Sequence, residues 1–121
     1  MAATPTFGRY AEIPFDEMTP EQKEGYHSLL ETRGRLPGPT KIYVHNPKLA
    51  KAIGPIGRHM RTDYSLSERE REIAVCVVTS KWHTAYATNA HERAAKAAGL
   101  PADKVELILS GLPTSFTDKR E

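Results

Sequence analysis

The chain has 121 residues, enough for one domain with a modest hydrophobic core. Hydrophobic residues make up 39% of it and charged residues 26%, a mix typical of soluble globular proteins and unlike that of disordered chains. The 17 Lys and Arg residues and the 15 Asp and Glu residues are interleaved, so the composition gives no indication of nucleic-acid binding.

Three features of the sequence indicate where in the cell the protein is located. The longest apolar stretch, residues 73–78, is far shorter than the roughly 20 residues that cross a bilayer. Residues 1–10 lack the charged and apolar segments of a secretion signal. Cys76 is the only cysteine, so it cannot form a disulfide within the chain. We therefore expect a cytoplasmic protein without a membrane partner.

The N-terminal part is predicted to be an arm followed by a capped helix. Residues 1–16 carry two prolines and a glycine without helical periodicity, which predicts an arm before a helical domain over residues 17–121. Thr19 and Gln22 have the spacing of a capping box, with proline at the first helical position. The helix that they begin is expected to end before Gly34.

The next segments predict a loop, a short helix and a longer amphipathic helix. Residues 36–39 have loop composition, and residues 41–45 could form a short helix that Asn46 and Pro47 end. The Gly54-Pro55 pair is expected to kink or break the following helix. Apolar residues recur in that helix at helical spacing, namely Leu49, Ile53, Ile56 and Met60.

A second capping box begins the most apolar part of the chain. Ser67 and Glu70 have the capping spacing, and the length of the pattern over residues 68–82 favours a buried helix over a strand. Residues 83–98 are rich in alanine and predict the following helix, closed by Gly99. A short helix through Leu109 should come next.

The C-terminal residues are typical of a helix start. Thr117 could cap a further helix, with Asp118 near its positive end. Both a complete domain and one that lacks a C-terminal part therefore stay open.

Three segments resemble the core motif of the carboxymuconolactone decarboxylase and alkylhydroperoxidase D superfamily. They are LSEREREIAV at 66–75, KWHTAY at 81–86 and HERAAKAAGL at 91–100, with HNPKL at 45–49 as a lead-in. The resemblance covers about residues 37–111. It implies an all-α domain built on a helical hairpin at about residues 68–98. It also implies a homo-oligomer, a dimer, trimer or hexamer, with active sites near subunit contacts.

The resemblance also implies which residues carry the chemistry. In the peroxidase branch a glutamate and a histidine flank two cysteines, and the matching positions here are Glu72, His91, Thr84 and Ala87. Thr84 and Ala87 can neither attack a peroxide nor form a disulfide, so the chain resembles a thiol-free relative. The decarboxylase branch also lacks the cysteines and shares His91. It carries a histidine and a glutamate where this chain has Thr84 and Ala87, so its particular lactone substrate is not implied.

The predicted catalytic residues are Glu72, His91, His83 and Tyr86. If Glu72 faces His91, its carboxylate could orient the imidazole as a general base. His83 could act as a second acid or base, and Tyr86 could donate a hydrogen bond to a developing oxyanion. The alternatives are a structural hydrogen bond that closes the hairpin, a helix-end histidine and a core tyrosine.

The predicted substrate-binding residues are Thr84, Arg58, Arg71 and Trp82. Thr84 shares a helical face with His91, and the arginines could hold an anionic substrate. The alternative for each arginine is a solvated surface position. His83 and His91 are too far apart in sequence for a zinc motif, so neither a metal nor another cofactor is expected.

The candidate residues and the resemblance together suggest three alternative functions. The leading hypothesis is a cofactor-independent lyase or isomerase for a small carboxylated compound of the aromatic-catabolism type, with His91 as acid or base oriented by Glu72. The second is an alkylhydroperoxidase-like oxidoreductase that combines Cys76 with a thiol of another subunit or an external reductant. The third is a non-catalytic helical oligomer.

Overall fold

The chain is mostly helical, which confirms the predicted class. A computed structural model describes residues 5–7 and 10–121. Its one pair of strands within these residues joins β1, Pro5–Phe7, to β2, Tyr10–Ala11, in antiparallel register. Contacts group the chain into two compact units, Met1–Tyr64 and Ser65–Glu121. The predicted arm, residues 1–16, lies partly outside the described residues, and its boundary stays a prediction.

The first unit is built around two long helices. α1 spans Pro20–Arg33, α2 spans Gly38–Lys41 and α3 spans Pro47–Thr62, with 3-10 turns at Phe15–Glu17 and Ile42–His45. The predicted capping box is confirmed: Gln22 N–H donates to Thr19 Oγ1 at 3.2 Å, and Thr19 N–H donates to Gln22 Oε1 at 2.9 Å. Gly34 then ends α1 in a left-handed conformation, with a φ of 71°.

α3 packs closely on α1 and continues through Pro55, so the break that was expected there does not occur. A Cβ added to Gly54 would lie only 2.9 Å from Thr32 Oγ1, so glycine allows the two backbones to approach here. Pro55 is exposed, and its ring has no N–H to donate to the preceding turn of the helix. α2 also begins at Gly38, inside the predicted loop. The buried apolar residues of this unit are Met18, Leu29, Val44 and Ala50.

The second unit contains α4, Glu68–Trp82, α5, Ala85–Ala97, and α6, Ala102–Leu109. Ser67 and Glu70 form the predicted capping box, so the apolar run at residues 73–78 is helical. α4 and α5 pack against each other and are joined by two residues, which makes them a helical hairpin. The buried core lies among the three helices and comprises Cys76, Ala95, Leu100, Val105 and Ile108.

The C-terminal residues form a turn where the first turn of a helix was predicted. Arg120 N–H donates to Asp118 Oδ1 at 2.9 Å, so Asp118 stabilises a local turn. Glu121 Oε2 accepts from Arg69 Nη2 at 2.8 Å, and Arg120 Nε lies 2.7 Å from Glu70 Oε1. These two ion pairs hold the segment against the start of α4, and a further helix does not form there.

The Arg69–Glu121 ion pair predicts a specific dependence of stability on pH. Hydrogen bonding to Arg69 holds the pKa of Glu121 below its ordinary 4.5, and the Arg69 charge adds to this effect. A lowered folded-state pKa means that the pair stabilises the fold above about pH 4.5, and that this contribution is lost as the pH falls through the folded-state pKa.

Melting temperatures of the wild type and Glu121→Gln between neutral and acidic pH would test this dependence. The variant should melt lower at neutral pH, and the difference should close in acid. Glu106→Gln is the matched control, because Glu106 is exposed and carries no ion pair among the described residues. A Glu121→Gln difference that persists unchanged in acid would contradict the expectation.

Candidate acid–base site

The hairpin brings Glu72 of α4 and His91 of α5 into direct contact. His91 Nδ1 lies 2.7 Å from Glu72 Oε2, across 19 residues of sequence. Glu72 is only 2% exposed, whereas the His91 side chain is 37% exposed. Glu72 therefore lies inside the second unit, and the His91 side chain reaches its surface.

Arg71 holds the second oxygen of the Glu72 carboxylate. Arg71 Nε donates to Glu72 Oε1 at 3.2 Å, and its guanidinium also lies 3.7 Å from Glu68 Oε1. A buried carboxylate is costly unless charged or hydrogen-bonding partners compensate for its lost hydration. Arg71 and His91 supply such partners, one for each oxygen of Glu72.

The arrangement assigns different roles to the two imidazole nitrogens. A carboxylate only accepts hydrogen bonds, so the Nδ1 of a neutral His91 must carry the proton that it donates to Glu72. The lone pair is then on Nε2, and the site can take up a proton there. Chemically, the pair can act as a general base and, once protonated, as a general acid.

His83 and Tyr86, the other two predicted catalytic residues, make no hydrogen bond to this pair. His83 ends α4 in a left-handed conformation with a φ of 51°, and its side chain is exposed. Tyr86 lies in the first turn of α5 and is 59% exposed. Five residues separate Tyr86 from His91, which puts them about 140° apart around the helix. The structure therefore does not bring all four residues together.

The predicted substrate-binding residues are also dispersed. Arg71 belongs to the cluster as a partner of Glu72. Thr84 is exposed just before α5, two turns from His91, and Trp82 at the end of α4 is 73% exposed. Arg58 is an exposed residue of α3 in the first unit.

Sequence reasoning missed the role of Arg71 as a partner of Glu72. The signal was weak because adjacent residues on a helix usually point in different directions. The Arg71 guanidinium bends back to its neighbour, and the carboxylate that it meets is buried. The contact belongs to the site because α5 places His91 on the other oxygen of the same carboxylate.

Cys76 is poorly suited to thiol chemistry. Its side chain is buried in the core and only 1% exposed. Burial raises the pKa of the thiol, and the negative charges of Glu72 and Glu92 raise it further. Since the thiolate is the reactive form, both effects lower reactivity towards peroxides.

Two open cavities of the second unit lie beside other residues. Their volumes are about 680 and 280 Å³, and His83, Ser80 and Leu109 line both. Neither is lined by Glu72 or His91. The acid–base pair is therefore presented at a surface of the single chain, outside these cavities.

Over the described residues, no group of three or more His, Cys, Asp or Glu side chains could hold a metal ion. Within the same part of the chain, no helix combines the length and apolar character needed to cross a membrane. Comparison with protein-family models, with curated proteins and with solved structures found no match.

The burial of Cys76 predicts slow reaction with thiol reagents. In the folded protein, labelling by a water-soluble disulfide reagent should be at least about 100-fold slower than in denaturant, because access requires local or global opening. A Cys76→Ser/Ser110→Cys double variant is the matched control, since Ser110 is exposed and its replacement should label quickly when folded. Equal native rates for the wild type and this control would contradict the buried, protonated thiol.

Proposed function

We propose that the chain is a member of the carboxymuconolactone decarboxylase and alkylhydroperoxidase D superfamily that lacks the redox cysteine pair. On this proposal it is a cofactor-independent lyase or isomerase for a small, aromatic-derived carboxylate. The observation that carries the chemistry is the 2.7 Å contact between His91 Nδ1 and a Glu72 that is 2% exposed. The hairpin of α4 and α5 supports the family, since the resembling segments lie on these helices and their connection.

In the proposed mechanism, His91 moves the proton at Nε2. In an isomerisation, Nε2 takes a proton from a carbon beside a carbonyl or carboxyl group and returns it to another position. In a decarboxylation, the electrons of the breaking carbon–carbon bond stay on the substrate carbon, carbon dioxide leaves, and the imidazolium protonates that carbon. The 37% exposure of the His91 side chain then lets the imidazole regain a proton from water.

Glu72 and Arg71 act as positioning residues in this proposal. Glu72 fixes the orientation and the tautomer of the imidazole, as the carboxylate of a catalytic triad does. Arg71 holds Glu72 through its other oxygen and compensates for its negative charge in the buried position. Removing either residue should therefore weaken proton transfer without removing the transferring group.

Assembly into a homo-oligomer is part of the same proposal. Three apolar or aromatic side chains near the connection between α4 and α5 are more than half exposed: Val78 at 58%, Trp82 at 73% and Tyr86 at 59%. Covering them with another subunit would remove a sizeable apolar area from water. The resemblance implies that active sites in this superfamily lie near such subunit contacts.

A peroxidase function is chemically weaker. It would need Cys76 to reach a peroxide as a thiolate, whereas the thiol is 1% exposed and its pKa is raised. We therefore rank acid–base chemistry first.

The test is turnover of a panel of small aromatic acids, muconate-type acids and lactones in deuterated water, followed by proton NMR. Wild type should exchange a carbon-bound proton or release carbon dioxide from at least one compound. His91→Ala should lower the rate about 10²- to 10⁴-fold, the usual contribution of general acid–base catalysis. Glu72→Gln should retain part of the activity.

His27→Ala is the matched control, because His27 is an exposed histidine of α1 in the first unit. It should turn over substrate at the wild-type rate. Equal rates for the wild type and His91→Ala would remove His91 from the mechanism. Failure of the wild type to turn over any compound in the panel would favour the non-catalytic oligomer.

A further inference from the structure

The larger cavity of the second unit is bounded by α4 on one side and the C-terminal segment on the other. α4 contributes Ile73, Val77 and Lys81, which recur every four residues and so share one face of the helix. The opposite wall includes Leu112 and Phe116. The volume of about 680 Å³ falls within the usual range for small-molecule sites.

The cavity walls are apolar and accessible. Val77 is 51% exposed and Leu112 is 54% exposed, although both lie in a concave part of the surface. Ile73 and Phe116 pack against the core behind them, so the wall is continuous with the fixed interior of the unit. A ligand with an apolar body would remove this surface from water, and the gain in free energy should grow with the area covered.

The polar end of the cavity has a cationic character. Lys81 makes no ion pair with the described residues, and the His83 side chain makes no hydrogen bond with them. Glu121 is the one carboxylate among the described lining residues, and Arg69 already pairs with both of its oxygens. The charge left without a partner in the cavity is therefore the Lys81 ammonium, which favours an anionic ligand.

The C-terminal wall is fastened in place by several interactions. The pairs Arg69–Glu121 and Arg120–Glu70 tie its end to the first turn of α4. Lys104 binds the carbonyl of Ser115, and its ammonium lies 5.2 Å over the ring of Phe116. The cavity is thus largely formed before any ligand arrives, which lowers the ordering cost of binding.

The backbone of His83, beside this cavity, is strained. Its φ of 51° lies in the left-handed region, where glycine is the usual residue at a helix end. His83 is the only residue other than glycine with positive φ in the described part of the chain, and its side chain lines the cavity. Strain of this kind at a cavity is consistent with a side chain retained for binding.

We propose that this cavity binds a small amphipathic carboxylate. The apolar body of the ligand lies between Val77 and Leu112, and its carboxylate meets Lys81 and His83. The site is separate from the proposed acid–base pair, because neither Glu72 nor His91 lines it. It therefore does not depend on the proposed catalytic function.

Binding of octanoate to the full chain, measured by calorimetry, tests the charge preference. 1-Octanol and octylammonium are the neutral and cationic counterparts with the same apolar chain. Octanoate should bind more tightly than octanol by up to about fivefold, which is the most that an accessible ion pair usually contributes to affinity. Octylammonium should bind more weakly than octanol. Equal affinities for all three, or no octanoate binding at millimolar concentration, would overturn the proposal.

Lys81→Met tests the cationic end. It should bring the affinity for octanoate closer to that for octanol and leave octanol binding unchanged, while the contact of the carboxylate with His83 remains. Lys48→Met is the matched control, because Lys48 is an exposed lysine of α3 without an ion pair to the described residues, and it should bind as wild type does. Wild-type octanoate affinity in Lys81→Met would overturn the assignment of Lys81.

His83→Gly separates binding from folding. Relief of the left-handed strain should raise the melting temperature by about 4 °C, while loss of the imidazole lowers the affinity for octanoate. Loss of affinity in a more stable protein cannot be attributed to misfolding. Unchanged affinity would remove His83 from the site, and His91→Ala should bind octanoate as wild type does if the two sites are separate.

Discussion

The buried carboxylate of Glu72 is the constraint on which the candidate acid–base site depends. It is 2% exposed on α4, and both of its oxygens have partners, Arg71 on one and His91 on the other. A buried charge without such partners would cost several kcal/mol or shift towards its neutral form. The fold therefore needs α5 to present a donor at this place, and that requirement fixes the orientation of the His91 ring. The same contact determines the tautomer of His91 and the direction in which Nε2 points. One hydrogen bond, between Glu72 and His91, therefore has both the structural role and the proposed catalytic role.

Local signals in the sequence predicted much of this architecture. The capping boxes at Thr19 and Ser67 involve residues only three positions apart, so the local sequence determines them and both formed as expected. The prediction that Glu72 could face His91 came from a resemblance in segment order and spacing, and the two side chains do meet.

The features that could not be predicted depend on contacts between residues distant in sequence. Gly54 packs against Thr32 of α1, and this packing accompanies a helix that continues through Pro55. Glu121 reaches Arg69 across 52 residues, and the expected C-terminal helix start is a turn. Helical spacing alone also predicted that His83 and Tyr86 belong to the same site as His91, and the structure does not bring them together. His83 leaves the helix in a left-handed conformation, and Tyr86 lies at a different angle from His91.

The most direct measurement for the central claim is the tautomer of His91, read from long-range proton–nitrogen NMR correlations of its imidazole at neutral pH. The account predicts that Nδ1 carries the proton of the neutral ring and that Nε2 has the lone pair, because Glu72 accepts from Nδ1–H. In Glu72→Leu the preference for this tautomer should be lost. A neutral His91 protonated on Nε2 in the wild type would contradict the claim, since Nε2 could then not act as the base.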